Sequence, residues 1–259
     1  MLFLNTRPPD RAALLSNDLK AAKIKVLELP LLELVEEPYS LMLEGLYQQL
    51  PQAHVIVVVS PTAAHVGMRY LVQAGMTLQA LTKIQWIAVG KATQRTLAEY
   101  GISSIVPDVE TSEGMLELPI LTTLKPESTL AFWRGEGGRV FMMDHFRQLG
   151  IQVLNFVLYK RRCPNNTLSL FQQYVGQLNQ AECFAVLISS EASWLNWLSL
   201  VNAYPKIVEK AYYLTLGPRL TRLVSTYQRE QGLTLGWVEI ENLQKETILH
   251  HLDRIQGTS

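Results

Sequence analysis

The chain has 259 residues, 48% of them hydrophobic and 18% charged, a composition that excludes a disordered chain and leaves room for two modest domains, each with its own core. Its 23 basic residues balance 23 acidic ones, so no net field favours nucleic acid or an anionic membrane, and any anionic ligand must be held by local groups. Cys163 and Cys183 stand without a Cys-x-x-Cys or paired-His spacing, which points to neither a disulfide framework nor a zinc site. The apolar start at Met1–Leu4 is too short for a signal peptide, and no stretch approaches the roughly 18 apolar residues of a membrane span; a soluble, cytoplasmic protein is the expectation.

Leu2–Leu4 predicts a short strand, closed by Asn5-Thr6-Arg7-Pro8-Pro9, whose proline pair suits the first turn of a helix. Ala12, Leu15, Leu19 and Ala22 then recur at helical spacing. A long extended run over Lys25–Glu37 follows, closed by Pro38. Val55–Val59 predicts a buried strand, Pro61 opens a helix, and Ala64, Met68 and Leu71 form its inner stripe. Ile84–Val89 is a further strand, Gly90-Lys91-Ala92-Thr93 a turn, and a helix runs towards Gly101. In the second half, Leu130–Trp133 leads into Arg134-Gly135-Glu136-Gly137-Gly138-Arg139, a helix ending near Gly150, and a second extended run over Val153–Arg162, closed by Pro164. Ala185–Ile188 leads to Ser189-Ser190 and a helix, and Tyr212–Leu216 leads to Gly217-Pro218, with Leu220, Leu223, Val224 and Tyr227 at helical spacing.

These blocks repeat at an offset of roughly 127 positions. Arg7 and Val26 return as Arg134 and Val153, Ser60 as Ser189, and Gly90 as Gly217. Strands alternating with helices predict α/β architecture: two similar three-layer domains with parallel sheets, and a ligand cleft between them lined by the loops after the strands' carboxyl ends. The two extended runs occupy matching places in the repeat. The first carries Glu28, Glu33, Glu36 and Glu37, the second Lys160, Arg161 and Arg162, charges that suit antiparallel pairing as well as they suit two solvated edges.

No sharp catalytic motif is present. The five histidines are scattered, and Gly135-x-Gly137-Gly138 fails both the phosphate-loop and the dinucleotide patterns. What recurs is small polar residues where strands end and helices begin: Thr6, Ser60, Thr62, Thr93, Ser189, Ser190 and Thr221. Serine and threonine are ordinary N-caps, and capping alone is the plain alternative for each. Their repetition at helix starts suits an anion held by backbone N–H groups and hydroxyls. Arg7, Lys91, Arg134, Arg139 and Arg219 lie in or beside the same turns, as do Gly90, Gly135 and Gly217. Tyr159, near the end of the second extended run, carries a hydroxyl able to donate a proton.

Taken in order, Thr6-Arg7-Pro8, the strand ending at Ser60-Pro61, Ala88-Val89-Gly90-x-Ala92-Thr93, Gly135-x3-Arg139, Val157-Leu158-Tyr159, Ile188-Ser189-Ser190 and Leu216-Gly217-Pro218 resemble the uroporphyrinogen-III synthase family over about residues 3–235. The resemblance implies an enzyme that cyclises hydroxymethylbilane to uroporphyrinogen III, losing water and inverting the last pyrrole ring, without metal or cofactor. It implies a substrate with eight carboxylates, matching the anion-holding turns. It implies a discontinuous first domain of residues 1–36 and about 165–259, a second domain of 39–155, and a two-stranded antiparallel linker over about 25–37 and 153–162. Tyr159 matches a tyrosine that the family places at the cleft, where it helps the hydroxyl leave, and Ser60, Thr93 and Ser189 match family cleft residues. A monomer acting on a linear tetrapyrrole, with no nucleic-acid or membrane partner, is the corresponding expectation.

The chain departs from the family pattern in two places. Leu220 stands where many members have threonine, with Thr221 one step later, and Ser190-Glu191-Ala192 replaces a Pro-Ser-Gly-like turn. A carboxylate at Glu191 would repel a polyanion unless it turns away. The alternative function that these departures suggest is a non-catalytic two-domain protein that binds or senses an anionic small molecule or a tetrapyrrole.

Overall fold

The computed structural model describes residues 1–137 and 140–257. The elements run β1 (Leu2–Asn5), α1 (Pro9–Ala21), β2 (Lys25–Glu28), β3 (Glu33–Glu36), α2 (Leu41–Gln49), β4 (Val55–Val58), α3 (Pro61–Gln73), β5 (Gln85–Ala88) and α4 (Lys91–Glu99). Next come α5 (Ser112–Leu116), α6 (Pro119–Thr122), β6 (Thr129–Gly135), α7 (Val140–Gln148) and β7 (Gln152–Arg162). The chain closes with α8 (Thr167–Gln180), β8 (Phe184–Ile188), α9 (Glu191–Val201), α10 (Pro205–Lys210), β9 (Ala211–Leu216), α11 (Pro218–Gln231), β10 (Gly236–Ile240) and α12 (Lys245–Gly257). Two compact units result, one of Met1–Leu34 with Arg162–Ser259 and one of Val35–Arg161.

The first unit holds a parallel sheet in the order β10-β9-β8-β1-β2. β1 and β8, in its middle, are buried along their whole length, as the near-continuous apolar runs of a parallel sheet covered on both faces require. Alternation sorts their side chains. Leu2, Leu4, Phe184, Val186 and Ile188 join a core with Trp194 and Trp197 of α9 and Leu220 and Val224 of α11. Phe3, Ala185 and Leu187 join another with Leu15 and Leu19 of α1 and Ile248 and Leu252 of α12. These are the three layers expected, with period two in the strands feeding both faces.

The second unit has the order β3-β7-β6-β4-β5, parallel from β7 to β5. Val55, Val57, Leu130 and Phe132 pack with Met142, Met143 and Phe146 of α7. On the opposite face Trp133 stacks edge-on against Trp86 and Phe156, and near Tyr47 of α2. The sheets match position by position: β9-β8-β1-β2 in one, β5-β4-β6-β7 in the other. Even the outer strand β10 has a counterpart, because Ile105 bridges β5 in parallel at Ile87. Thus the first β-α-β block of the chain sits in a sheet with strands from its last third, where a simple tandem repeat would keep the halves separate.

The extended run over Lys25–Glu37 is two strands, not one. β2 pairs with β1, and the backbone N–H groups of Leu29 and Leu31 continue along Asn5 and Thr6. Pro30, lying between them, costs this pairing no bond, because alternate residues of the edge strand β2 face away from β1. β3 then joins β7. The Glu37 N–H donates to the Leu158 carbonyl at 2.9 Å and Glu33 pairs with Arg162 at 2.6 Å, so numbers rise on one strand as they fall on the other, and the pairing is antiparallel. Lys160 pairs with Glu37 at 3.2 Å. The opposite charges of the two runs therefore meet across a ladder.

Candidate active site

In each unit the residues singled out by sequence lie at the carboxyl edge of the parallel sheet, where α/β proteins place their chemistry. In the second unit β4, β5, β6 and β7 deliver Ser60, Gly90, Arg134 with Gly135, and Tyr159. In the first, β1, β8 and β9 deliver Thr6 with Arg7, Ser189 with Ser190, and Gly217. Arg139 lies outside the described residues.

The tightest constellation belongs to the second unit. Tyr159 Oη lies 3.0 Å from Ser60 Oγ, and Ser60 Oγ caps α3 by accepting the Ala63 N–H at 3.1 Å. Arg161 donates from Nη2 to Tyr159 Oη at 3.3 Å and lies over the same ring, 5.4 Å from its centroid. A β-bulge aims the tyrosine. Arg134 pairs with Val157 but Gly135 pairs with Tyr159, leaving Leu158 as an extra residue, and both Leu158 and Tyr159 turn inward. Bulges commonly redirect side chains beside functional sites. The ring then lies against Gly135, where any Cβ would overlap it, so glycine is required there by close approach.

Arg134 sits within β6, not after it as expected, and is only 4% exposed. Its Nη1 donates to Asn155 Oδ1 at 3.1 Å, while its buried Nε has no partner among the described residues. Burial holds the guanidinium below the usual arginine range, with Glu136 and Tyr159 pulling the other way. A buried cation with an unused donor is poised for an anionic group. Arg7, its repeat counterpart, follows β1 and is half-buried; burial, then Arg11, lower its pKa.

The helix starts divide by what already occupies them. Ser60 and Ser190 are N-caps of α3 and α9 with nearly identical backbone angles. The structural counterpart of Ser60 is therefore Ser190, one step beyond Ser189. Thr6 is fully buried and its hydroxyl donates to the Leu187 carbonyl; α1 is capped by Pro8 without a side-chain bond. Thr62 and Thr93 lie inside the first turns of α3 and α4, so Gly90–Thr93 opens a helix where a turn was expected. Thr93 is buried, 3% exposed. Thr221 bonds Thr215 at 2.7 Å and Glu239 at 3.0 Å.

Two anion positions hold carboxylates of the chain itself. Gly90 caps α4 without a side chain, and Glu110 accepts the Lys91 N–H at 3.0 Å. At the equivalent helix of the first unit, Arg219 at the start of α11, whose N-cap is Gly217, pairs with Glu191. Glu191 thus turns onto a cation, which answers the repulsion expected from its position. Sequence reading missed Glu110 and Arg161. Glu110 comes from a distant loop and left no local signal, whereas period-two alternation on β7 would have placed Arg161 on the face of Tyr159.

Two matching parallel-sheet units, each with polar and cationic groups at its carboxyl edge, define a class: a two-unit α/β protein. Comparison with known proteins narrows it. The family model described as uroporphyrinogen-III synthase HemD matches residues 13–231. In fold, the chain resembles a variant uroporphyrinogen III synthase from Thermus thermophilus, with a TM-score of 0.66 at 14% identity over 100% of both chains. It also resembles uroporphyrinogen-III synthetase from Helicobacter pylori, with a TM-score of 0.52 at 16% identity over 90% of this chain and 94% of that one. The chain belongs to the uroporphyrinogen-III synthase family.

Proposed function

We propose that the chain cyclises hydroxymethylbilane to uroporphyrinogen III, releasing water and inverting ring D. The observation that carries this reading is the family match across residues 13–231. Loss of the hydroxyl from the linear tetrapyrrole leaves an azafulvene-like electrophile. The last pyrrole attacks it through its substituted carbon, and the spiro intermediate reopens and recloses. The uncatalysed chain closes the simpler way, so the enzyme's work is to hold one conformation and support developing charge.

Within this reading the Tyr159 phenol, which carries an O–H donor, supplies the proton for the departing hydroxyl. Substrate carboxylates are held by Arg7, Arg134 and Arg139, by the starts of α3 and α4 with Ser60, Thr62, Gly90, Lys91 and Thr93, and by Gly135. The matching groups of the first unit are Thr6, Ser189, Ser190, Gly217, Arg219 and Thr221. Helix N-termini and a few buried cations suffice for this in a chain of zero net charge. The protein acts as a cytoplasmic monomer without nucleic-acid partners; no described helix is long and apolar enough to cross a membrane. Separation of the isomers formed from hydroxymethylbilane tests the function, and isomer I alone, as in buffer, contradicts it.

A further inference from the structure

Tyr159 is 1% exposed, so its hydroxyl, closed between Ser60 and Arg161, does not meet a substrate directly. Ser60, partly exposed, is the outward member of the pair. Hydrogen-bond accounting fixes the proton's direction. Arg161 can only donate, so Tyr159 Oη accepts from it. If Ser60 also donated to Tyr159, the buried phenol proton would have no acceptor, which buried donors rarely tolerate. Tyr159 therefore donates to Ser60 Oγ, which also accepts the Ala63 N–H. Both acceptor sites of Ser60 are then filled from inside, and its own proton points away from them.

We propose that Ser60, Tyr159 and Arg161 form a proton relay in which Ser60 is the catalytic residue, Tyr159 refills it, and Arg161 is a positioning residue that holds the charge left on the phenol. The proposal rests on the cyclase reading given above. As the bond between the hydroxymethyl carbon and its oxygen breaks, its electron pair leaves with oxygen, which takes the Ser60 proton and departs as water. The Tyr159 proton moves to Ser60 Oγ, and the phenolate stands beside the Arg161 guanidinium. The carbon cation is met by the electrons of the pyrrole. When the closed ring becomes aromatic it releases one proton, which returns through Ser60 to Tyr159, so the protein ends as it began. Arg161 is available because its neighbours Lys160 and Arg162 point the other way, to Glu37 and Glu33.

Steady-state formation of isomer III by the whole chain tests the relay. Ser60→Asn keeps an N-cap but has no hydroxyl proton to pass on, and Tyr159→Phe removes the reservoir. Each is expected to lower kcat by about 10²-fold, the span of one general acid, with KM little changed. The double variant should be no slower than either single, because members of one relay act as a unit. Ser60→Thr should retain most activity. Arg161→Met should lower kcat by about tenfold, with Arg161→Lys recovering most of it, a pattern that loss of packing alone would not give. Full kcat in a folded Ser60→Asn protein, with Tyr159→Phe impaired, overturns the relay and leaves tyrosine as direct donor; multiplicative losses in the double variant also overturn it. Isomer I alone from the wild-type chain overturns the cyclase reading, and the relay with it.

Discussion

The backbone N–H of Lys91 donates to the carboxylate of Glu110 at 3.0 Å, across 19 residues of sequence. An exposed loop carboxylate thus occupies the start of α4, a position that also suits a carboxylate arriving from solution. The cap contributes about 0.3–1 kcal/mol to the helix. Glu110→Gln should lower the unfolding free energy by no more than that while lowering KM for a polycarboxylate, because the competing charge is gone. A raised KM would mean that Glu110 helps the substrate bind and does not compete with it.

Gly135→Ala places a Cβ within the Tyr159 ring, and that ring is held in β7 and cannot swing aside. Over-packing of this kind costs about 1–3 kcal/mol. The variant should denature at lower urea and lose isomer III formation together. Gly90→Ala is the contrast: the atoms nearest its Cβ belong to the flexible end of Glu110, and its backbone is ordinarily extended. It should remain near wild-type stability while behaving like Glu110→Gln in KM.

Arg134 makes stability and binding oppose each other. Among the described residues its buried charge bonds Asn155 and leaves Nε without a partner, so replacing it by an apolar group of similar length should be neutral or stabilising for the fold. A charge-assisted bond to a substrate carboxylate is worth about 1.5–3 kcal/mol. Arg134→Met should hold or raise the melting temperature while raising KM at least about tenfold. A fall in both would make Arg134 a structural residue.

Burial, then His250 and Arg254, hold His251 below the usual histidine range. The unfolded chain therefore binds this proton more tightly than the folded one, and stability rises with pH while that difference lasts. The contribution is fully present above the ordinary histidine pKa of about 6.5 and is lost as pH falls through that value towards the folded one. Urea midpoints should drop between pH 7.5 and pH 5, and His251→Gln should drop less. Equal slopes for the two proteins would contradict this.

Much of the fold is legible because parallel strands buried on both faces leave apolar runs such as Val55–Val58 and Phe184–Ile188 that stand out from their surroundings. The twin units were legible from Arg7 with Arg134 and Gly90 with Gly217. What escaped depends on distance or on local counting. That the run from Lys25 divides between two sheets needed the neighbouring strands β1 and β7 to show it. The bulge at Leu158 shifts Tyr159 by one place, and no residue type announces it. Of the seven polar residues read at helix starts, Ser60 and Ser190 alone cap helices with their side chains; Thr6, Thr93 and Thr221 resemble caps in sequence because capping differs from neighbouring positions by a single residue. Glu110 and Arg161 reach the site by tertiary contact and by strand alternation.

The central claim is met most directly by incubating the purified chain with hydroxymethylbilane and separating the uroporphyrinogen isomers after oxidation. Isomer III is expected in excess over a protein-free control, with the excess sharply reduced in Tyr159→Phe and Ser60→Asn at equal folded concentration. Isomer I alone, at the rate seen in buffer, would contradict it.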